Sequence, residues 1–412
     1  MPDEGVGCHP LATGLEVGQC VAKGAHRAFG GWQGRAAVRR IGFFTLTASP
    51  PAPEANARTL SALRRALPDC EIEVVEVIPR LRRAPLAYGM AGAIAAATYA
   101  PDLLRGRKSL RHAAIRTPWL FRWVKRMAAQ VARERGYDVT FQMQSLFDAS
   151  VPGLPHYIYT DHTHLENRRY GAAGESALYS AGWRACERRI YPQAGTVFVR
   201  SSNVARSLVE DYGLPSDRVL CVYAGSNAPV PTAPADVTAP GQRKTILFAG
   251  IDWERKGGPA LLEAFRIVLD RHPDARLRIV GCTPDTGGLR NCDVAGRVPL
   301  GDMPRQFAEA GIFCLPTLRE PFGIVFVEAM WHGLPVVATE VGAVPDMVEP
   351  GVNGALVAPG DVAGLARALC AILDDPALAA RYGAASRAIA EDRYDWDQVA
   401  ARMVARMGHG AV

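Results

Sequence analysis

The chain has 412 residues, a net charge of +6, 49% hydrophobic residues and 21% charged residues. That balance excludes a mainly disordered chain, a collagen-like chain and a coiled coil, and the length suits two folded domains. No run of about 18 or more apolar residues occurs, which excludes an ordinary membrane-spanning helix.

Nine cysteines are widely spaced and form no CxxC pair. This argues against a zinc site or a disulfide framework and for reduced thiols in the cytoplasm. The start, MPDEGVGCHP, lacks a basic stretch followed by an apolar one, so no secretory signal is expected. Residues 1–38 are rich in Gly and Ala and show no period. They read either as a poorly ordered extension or as the product of an upstream start.

The first strand signal is IGFFTLTA, residues 41–48, followed by the proline-rich SPPAPE and an amphipathic helix over about 56–66. EIEVVEVI, residues 71–78, alternates acidic and apolar residues as a strand does. The β-loop-α-β opening predicts a parallel α/β sheet. Residues 79–136 are less regular. PLAYGMAGAIAAATYAP, residues 85–101, is apolar but too short to span a bilayer. Residues 105–135 hold ten Lys and Arg against one Glu, with Trp119, Leu120, Phe121 and Trp123 among them. A basic helix interleaved with aromatics is either a core helix with a solvated basic face or an element facing an anionic membrane surface.

Alternation then resumes. Residues 138–145 and 156–163 read as strands, ESALYSAGWRACERRIYPQA as one long helix, 196–202 as a strand, NVARSLVEDYG as a helix and 218–226 as a strand. APVPTAPADVTAPGQRK, residues 228–244, holds four prolines and no period, the composition of a linker. A second series follows: strands over 245–250, 276–282 and 312–317, the helix IVFVEAMWHG, the strand PVVATE and two closing helices. The expected boundaries are a first α/β domain over 39–228, a linker over 229–243, a second over 244–390, and a helix over 391–412, with Trp396, crossing back to the first. In such sheets ligands bind beyond the carboxyl ends of the strands, so the cleft between the domains is the expected site.

The sharpest chemical feature is EPFGIVFVE, in which Glu320 and Glu328 are separated by seven residues. Glu320 sits in a loop after a strand and Glu328 about two turns into a helix. Phe322, Gly323 and Ile324 are expected to form the first turn of that helix, where free N–H groups bind an anion. Carboxylates on either side can take hydroxyls, a pairing that suits a sugar nucleotide. In GIDWERKGG, Lys256 is placed to hold a diphosphate and to stabilise it as it leaves. TDHTH brings Asp161, His162 and His164 to the end of a strand in the first domain.

These motifs resemble the family 4 retaining glycosyltransferases of GT-B fold, with two Rossmann-like α/β domains facing across a cleft. The resemblance covers roughly 191–390 and is strongest over 250–258 and 316–360. It implies that Glu320 contacts the donor sugar, that Glu328 binds the ribose hydroxyls, and that the backbone of Phe322, Gly323 and Ile324 holds the distal phosphate and sugar. It implies a histidine facing the donor sugar, with His162 the first choice and His164 the second. Asp161 would hold the loop or contact the acceptor. Gly250 and Gly281 would line the nucleotide site, and the backbone at Arg297 and Val298 would read the base. The family pattern has an arginine where this chain has Ile251; Arg255 either supplies the missing cation or is a surface residue. Ser201 and Asn203 are a weaker match that helix capping explains as well, and Gly225, Ser226 and Asn227 stand where the family often has an Asn-Gly pair. The usual glycine pair after the first strand is replaced by Pro50-Pro51-Ala52-Pro53-Glu54.

The expectation is a retaining transferase that moves a sugar from a nucleoside diphosphate sugar to a glycan or lipid-linked acceptor. No cofactor and no metal are expected, since no Asp-x-Asp sits at a strand end and Lys256 can neutralise the diphosphate. The basic segment adds an expected anionic membrane partner and a peripheral location at the inner membrane face. Nucleic acid is not an expected partner, because no nucleic-acid motif occurs. A sugar-nucleotide epimerase or hydrolase and a non-catalytic GT-B subunit are the alternatives.

Overall fold

The computed structural model describes residues 38–48, 54–231 and 244–409. The extension expected over 1–38, apart from Val38, lies outside the described residues. So do the proline loop up to Pro53 and most of the linker.

The first half runs β1 (Arg40–Thr45), α1 (Glu54–Ala66), β2 (Glu71–Glu76), α2 (Val77–Arg82), α3 (Pro85–Leu104), α4 (Leu110–Ala114) and α5 (Pro118–Arg135). It continues through β3 (Val139–Met143), β4 (His156–Thr160), α6 (Gly171–Ser176), α7 (Ala181–Ile190), β5 (Thr196–Val199), α8 (Ser202–Glu210) and β6 (Val219–Cys221). Its six strands lie in the order β2-β1-β3-β4-β5-β6 and all neighbouring strands are parallel. Strands β3, β4 and β5 are buried along their whole length, as parallel strands covered on both faces must be. Gln142 is a polar exception within β3. Its amide donates to the carbonyls of Gln144 and Phe147, both at 2.8 Å, and accepts from the N–H of Ala149, so it shapes the loop that follows.

The second half runs β7 (Thr245–Ala249), α9 (Gly258–Arg271), β8 (Arg276–Val280), β9 (Cys292–Gly296), α10 (Met303–Ala308), β10 (Ile312–Leu315) and α11 (Ile324–Trp331). It closes with β11 (Val336–Thr339), β12 (Gly354–Val357), α12 (Val362–Asp374), α13 (Pro376–Arg393) and α14 (Trp396–His409). The strand order is β12-β11-β10-β7-β8-β9, again parallel throughout. β7 sits centrally in its sheet, so the residues that follow it open at the middle of the carboxyl edge. The last helix packs on α1. Tyr157 in β4 donates to the carbonyl of Met407 at 3.2 Å, and Trp396 Nε1 donates to the carbonyl of Ser226 at 2.8 Å.

Three expectations differ from the structure for local reasons. The strand expected to 78 stops at Glu76, and Val77 begins a helix, because Pro79 has no N–H to continue a ladder. The single long helix expected over ESALYSAGWRACERRIYPQA is two: Ser180 caps α7 by accepting from the N–H of Trp183 at 3.3 Å, and Pro192 closes it. The irregular stretch 85–101 is helix α3, with non-helical backbone at Tyr99 just before Pro101.

The basic aromatic segment forms α4 and α5. In α5, Leu120, Phe121, Val124, Ala128, Val131 and Ala132 are buried, and Trp119 and Trp123 pack partly against the core. Phe121 is therefore buried, while Trp119 and Trp123 keep part of their surface exposed. Among the described residues no helix is long and apolar enough to cross a membrane.

Candidate active site

Tight backbone contacts fix the carboxyl edge of the second sheet. Gly281, at φ +99, follows β8; a Cβ there would lie 2.6 Å from the carbonyl oxygen of Gly250. Gly250 follows β7 and donates its N–H to the Val280 carbonyl at 2.9 Å. Gly257 caps α9 at φ +75, and a Cβ on it would come within 1.8 Å of the Pro316 carbonyl. Only glycine lets these backbones approach so closely. Lys256, between Gly250 and α9, is thereby held against the loop after β10.

Glu320 sits in that loop and is buried, at 5% exposure. Its carboxylate pairs with the ammonium of Lys256. The sequence places these two groups on a donor sugar and a diphosphate; the structure brings them into direct contact with each other. The Glu320 carbonyl accepts from the N–H of Ala343 at 3.2 Å and from the Tyr170 hydroxyl at 3.4 Å.

Helix α11 starts two residues later than a first turn of Phe322, Gly323 and Ile324 would require. Gly323 is its N-cap at φ +90, where a Cβ would meet Phe326 at 2.7 Å and Glu320 at 3.0 Å. Phe322 is buried against Tyr394, ring centroids 6.3 Å apart. Ile324 opens the helix, and the N–H groups there have no partner within it. Glu328, further along α11, is buried and accepts from the N–H of Ala228 at 3.2 Å. Burial raises its carboxyl to about 7, against the pull of backbone donors at Ala228 and Asn227.

The edge of the first sheet faces this one. After β4, Thr160 Oγ1 donates to the carbonyl of His162 at 2.9 Å. Both ring nitrogens of His162 are buried; neither makes a hydrogen bond of good geometry, and the Asn167 side chain lies beside the ring. Burial lowers its pKa to about 4, helped by the nearby charge of Arg319 and opposed by Asp161. Its imidazole is therefore neutral at physiological pH. Asp161 is half-buried, 3.7 Å from Arg200, whose guanidinium lies 4.9 Å from the ring centre of Tyr159.

His164 has a different role from the one weighed for it. Its Nε2 accepts from the N–H of Tyr179 at 2.7 Å, and its ring packs edge-on to Trp183 at 4.6 Å. Burial lowers its pKa to about 3. Its Nε2 and one ring face are thus engaged inside the first domain. Arg255 is likewise committed: its Nε donates to Asp252 at 3.0 Å and one terminal nitrogen to the Arg319 carbonyl at 2.9 Å. It braces the loop before Glu320, while Ile251 is 73% exposed. Arg297 is exposed and Val298 half-buried in the turn after β9, where the Gly296 carbonyl accepts from Gly281 at 2.7 Å. Ser201 has a buried hydroxyl with no partner, and Asn203 donates to Glu166 at 3.1 Å.

Sequence reasoning missed the residues that join the two edges. Arg319 hydrogen-bonds Asn167 and lies 5.4 Å from the ring centre of Tyr170. Asp346 accepts from the N–H of Ser202 at 2.6 Å and from its hydroxyl at 2.5 Å. Arg319 carried a signal, a cation next to Glu320. Asn167, Tyr170 and Asp346 carried none, because their partners lie in the other half of the chain. Among the described residues, no group of three or more His, Cys, Asp or Glu is placed to hold a metal.

Two parallel six-stranded sheets, each with its strands' carboxyl ends carrying the loops described above, make the GT-B architecture. Residues 56–228 match the family model described as Glycosyltransferase Family 4, and residues 243–375 the one described as Glycosyl transferases group 1. The chain belongs to the family 4 glycosyltransferases. It is 31% identical over 276 residues to the D-inositol 3-phosphate glycosyltransferase of Streptomyces scabiei, covering 60% of this chain and 61% of that protein. Over 182 residues it is 38% identical to the phosphatidyl-myo-inositol mannosyltransferase of Mycobacterium leprae, 42% of this chain and 48% of the relative. The match thus spans about half to three fifths of these relatives. Anabaena HepE, solved in complex with UDP and glucose, superposes with a TM-score of 0.57 at 20% identity, covering 89% of this chain and 98% of that one.

Proposed function

We propose that the protein transfers a sugar, with retention of configuration and without a metal, from a nucleoside diphosphate sugar to a hydroxyl of a lipid-linked or surface-polysaccharide glycan. The observation that carries this reading is the buried Lys256–Glu320 pair just before α11, with the neutral imidazole of His162 lying near Arg319, the residue next to Glu320. The ammonium of Lys256 is placed for the diphosphate, Glu320 for hydroxyls of the donor sugar, and Glu328 for the ribose. His162, neutral, offers a hydrogen bond to the sugar on the opposite face.

In the reaction the bond from the sugar C1 to the phosphate oxygen breaks, and its electron pair leaves with the nucleoside diphosphate. The acceptor oxygen bonds to C1 on the same face, and its proton passes to the departing phosphate oxygen. Lys256 meets the charge that grows on that oxygen, so its contribution is larger in the transition state than in the ground state. No protein nucleophile is needed. The relatives' names, an inositol phosphate glycosyltransferase and a phosphatidylinositol mannosyltransferase, support a polar or lipid-linked hydroxyl acceptor. HepE, bound to UDP and glucose, supports a nucleoside diphosphate donor.

The test is thermal stabilisation by UDP, GDP, ADP, CMP and TDP, on wild type and Glu328→Ala in parallel. A ligand at one hundred times its dissociation constant stabilises by about 2.7 kcal/mol. A shift with one nucleotide that is lost in the variant supports the donor site and names the base. Proton NMR of the product anomer then tests retention, and turnover in the presence of a chelator tests metal independence. A second reading, a non-catalytic GT-B subunit, is favoured by exposed Ile251 and by the commitment of Arg255 to Asp252 and Arg319. No shift with any nucleotide would select it. Hydrolysis or epimerisation of the donor in the absence of acceptor would select the sugar-nucleotide hydrolase or epimerase.

A further inference from the structure

Helix α3 is apolar around its whole circumference yet covered along a single stripe. Residues 84–101 carry no charged side chain. Only Ala91, Ala95 and Tyr99, each four residues apart, are buried, with Ala87 and Leu103 packed beside them. Gly92, Ile94 and Ala100 are half-buried, and most of the remaining residues face outward. Leu86 is 91% exposed, Leu104 89%, Tyr88 54% and Met90 51%. A Cβ added at Gly89 or Gly92 would meet nothing within 4 Å. A helix apolar on all sides is ordinarily covered by protein core or by lipid, and here the protein covers only a strip.

Both ends of this helix are basic. Arg80, Arg82 and Arg83 precede it, and Arg105, Arg107, Lys108 and Arg111 follow it. Asp102 pairs with Arg107 at 2.5 Å and Lys108 at 2.6 Å. Among the described residues, Arg82, Arg83, Arg105 and Arg111 have no carboxylate partner. The charges decide what can cover the helix. A second copy of the chain laid along α3, parallel or antiparallel, would set arginine against arginine at both ends. An anionic bilayer supplies acyl chains for the middle and phosphates for the two ends.

We propose that α3 lies in the interface of an anionic phospholipid bilayer, with Leu86, Tyr88, Met90 and Leu104 among the acyl chains and the flanking arginines at the headgroups. Twenty residues of helix are about 30 Å long, enough for a firm contact lying flat. The aromatic helix α5, one of whose two sequence readings was this role, buries Phe121 and packs Trp119 and Trp123 partly against the core. The exposed residues Leu86, Tyr88, Met90 and Leu104 are none of those placed on the donor, so membrane binding and sugar transfer can be tested independently.

The test is co-sedimentation of the full chain with phosphatidylcholine vesicles, with and without about 30% phosphatidylglycerol, at about 0.1 M salt. Wild type should bind the anionic vesicles at least about tenfold better than the neutral ones. The double variant Leu86→Glu with Met90→Glu should lower that binding by about tenfold or more at an unchanged melting temperature, since both side chains are exposed. Arg82→Glu with Arg83→Glu should lose the preference for anionic lipid. Failure of wild type to bind, or full binding by the Leu86/Met90 variant, overturns the proposal. So does a concentration-dependent dimer, seen by sedimentation velocity, that the same variant abolishes; it would assign the helix to a second copy.

Discussion

The ammonium of Lys256 and the carboxylate of Glu320 form an ion pair almost closed to solvent, with 10% and 6% of the two side chains exposed. A donor diphosphate must compete with Glu320 for that ammonium. In Glu320→Gln the competitor is gone. The stabilising nucleoside diphosphate should then bind several-fold more tightly, while turnover falls by about a hundredfold or more for want of the sugar contact. Calorimetry and turnover assays on the same preparation check this. Weaker nucleotide binding in Glu320→Gln would show that the pair does not stand in the way of the phosphate.

The same pair predicts a stability signature. Lys256→Met leaves the Glu320 carboxylate buried and alone, which should cost about 3 kcal/mol. Lys256→Met with Glu320→Gln should recover most of it. Urea unfolding of the two single variants and the double variant measures the coupling; simple additivity would count against a direct pair.

Glu328 couples the second sheet to protons. Its folded carboxyl titrates near 7 against an ordinary 4.5, because burial penalises the charge. Between those values the folded chain holds more protons than the unfolded one, so this group makes stability fall as pH rises from 4.5 to 7. Glu328→Gln should flatten that slope in unfolding curves taken at both ends of the interval. Ribose hydroxyls favour the ionised form. Nucleotide binding near pH 6.5 should therefore release a proton, read as a heat that depends on the buffer. A buffer-independent heat would remove Glu328 from the ribose.

His162 has the opposite sign. Its folded pKa near 4, below the ordinary 6.5, means the unfolded chain binds the extra proton, so its contribution to stability rises with pH across that interval. The ring's NMR signals should not move between pH 5.5 and 8. His162→Ala should lower kcat by about a hundredfold with nucleotide affinity intact. A ring that titrates near 6.5 would mean it is open to water.

Asp346 holds both hydrogen-bonding groups of Ser202 across the cleft. In Asp346→Ala the two halves lose this clasp. The radius of gyration in solution scattering should rise, and backbone exchange at the start of α8 should speed up. No change in either would make the contact incidental.

The fold class and the family were readable because their signals are local. Strand and helix periods span a few residues, and EPFGIVFVE packs two carboxylates and a helix start into nine positions. His162 was legible as a strand-end histidine, but nothing local separated it from His164. Only the packing of Trp183 and the N–H of Tyr179 show that His164 is occupied. Arg255 and Lys256 are neighbours in sequence, yet one braces a loop through Asp252 and the Arg319 carbonyl and the other is buried against Glu320. The Ser202–Asp346 and Arg319–Asn167 contacts join residues 144 and 152 positions apart, and no window along a single chain contains them. The role of α3 was hidden because an apolar run of that length reads equally as core.

The last helix has a consequence for how the protein is made. Val399, Ala400, Met403 and Met407 of α14 are buried, and the helix packs on α1 beside the first strands to be synthesised. Every residue of the second sheet leaves the ribosome between β6 and α14. At about 5–20 residues per second, the first sheet waits on the order of ten seconds or more for the helix that finishes it. Throughout that interval α1 lacks its contact with α14, so the nascent first half stays without its closing helix.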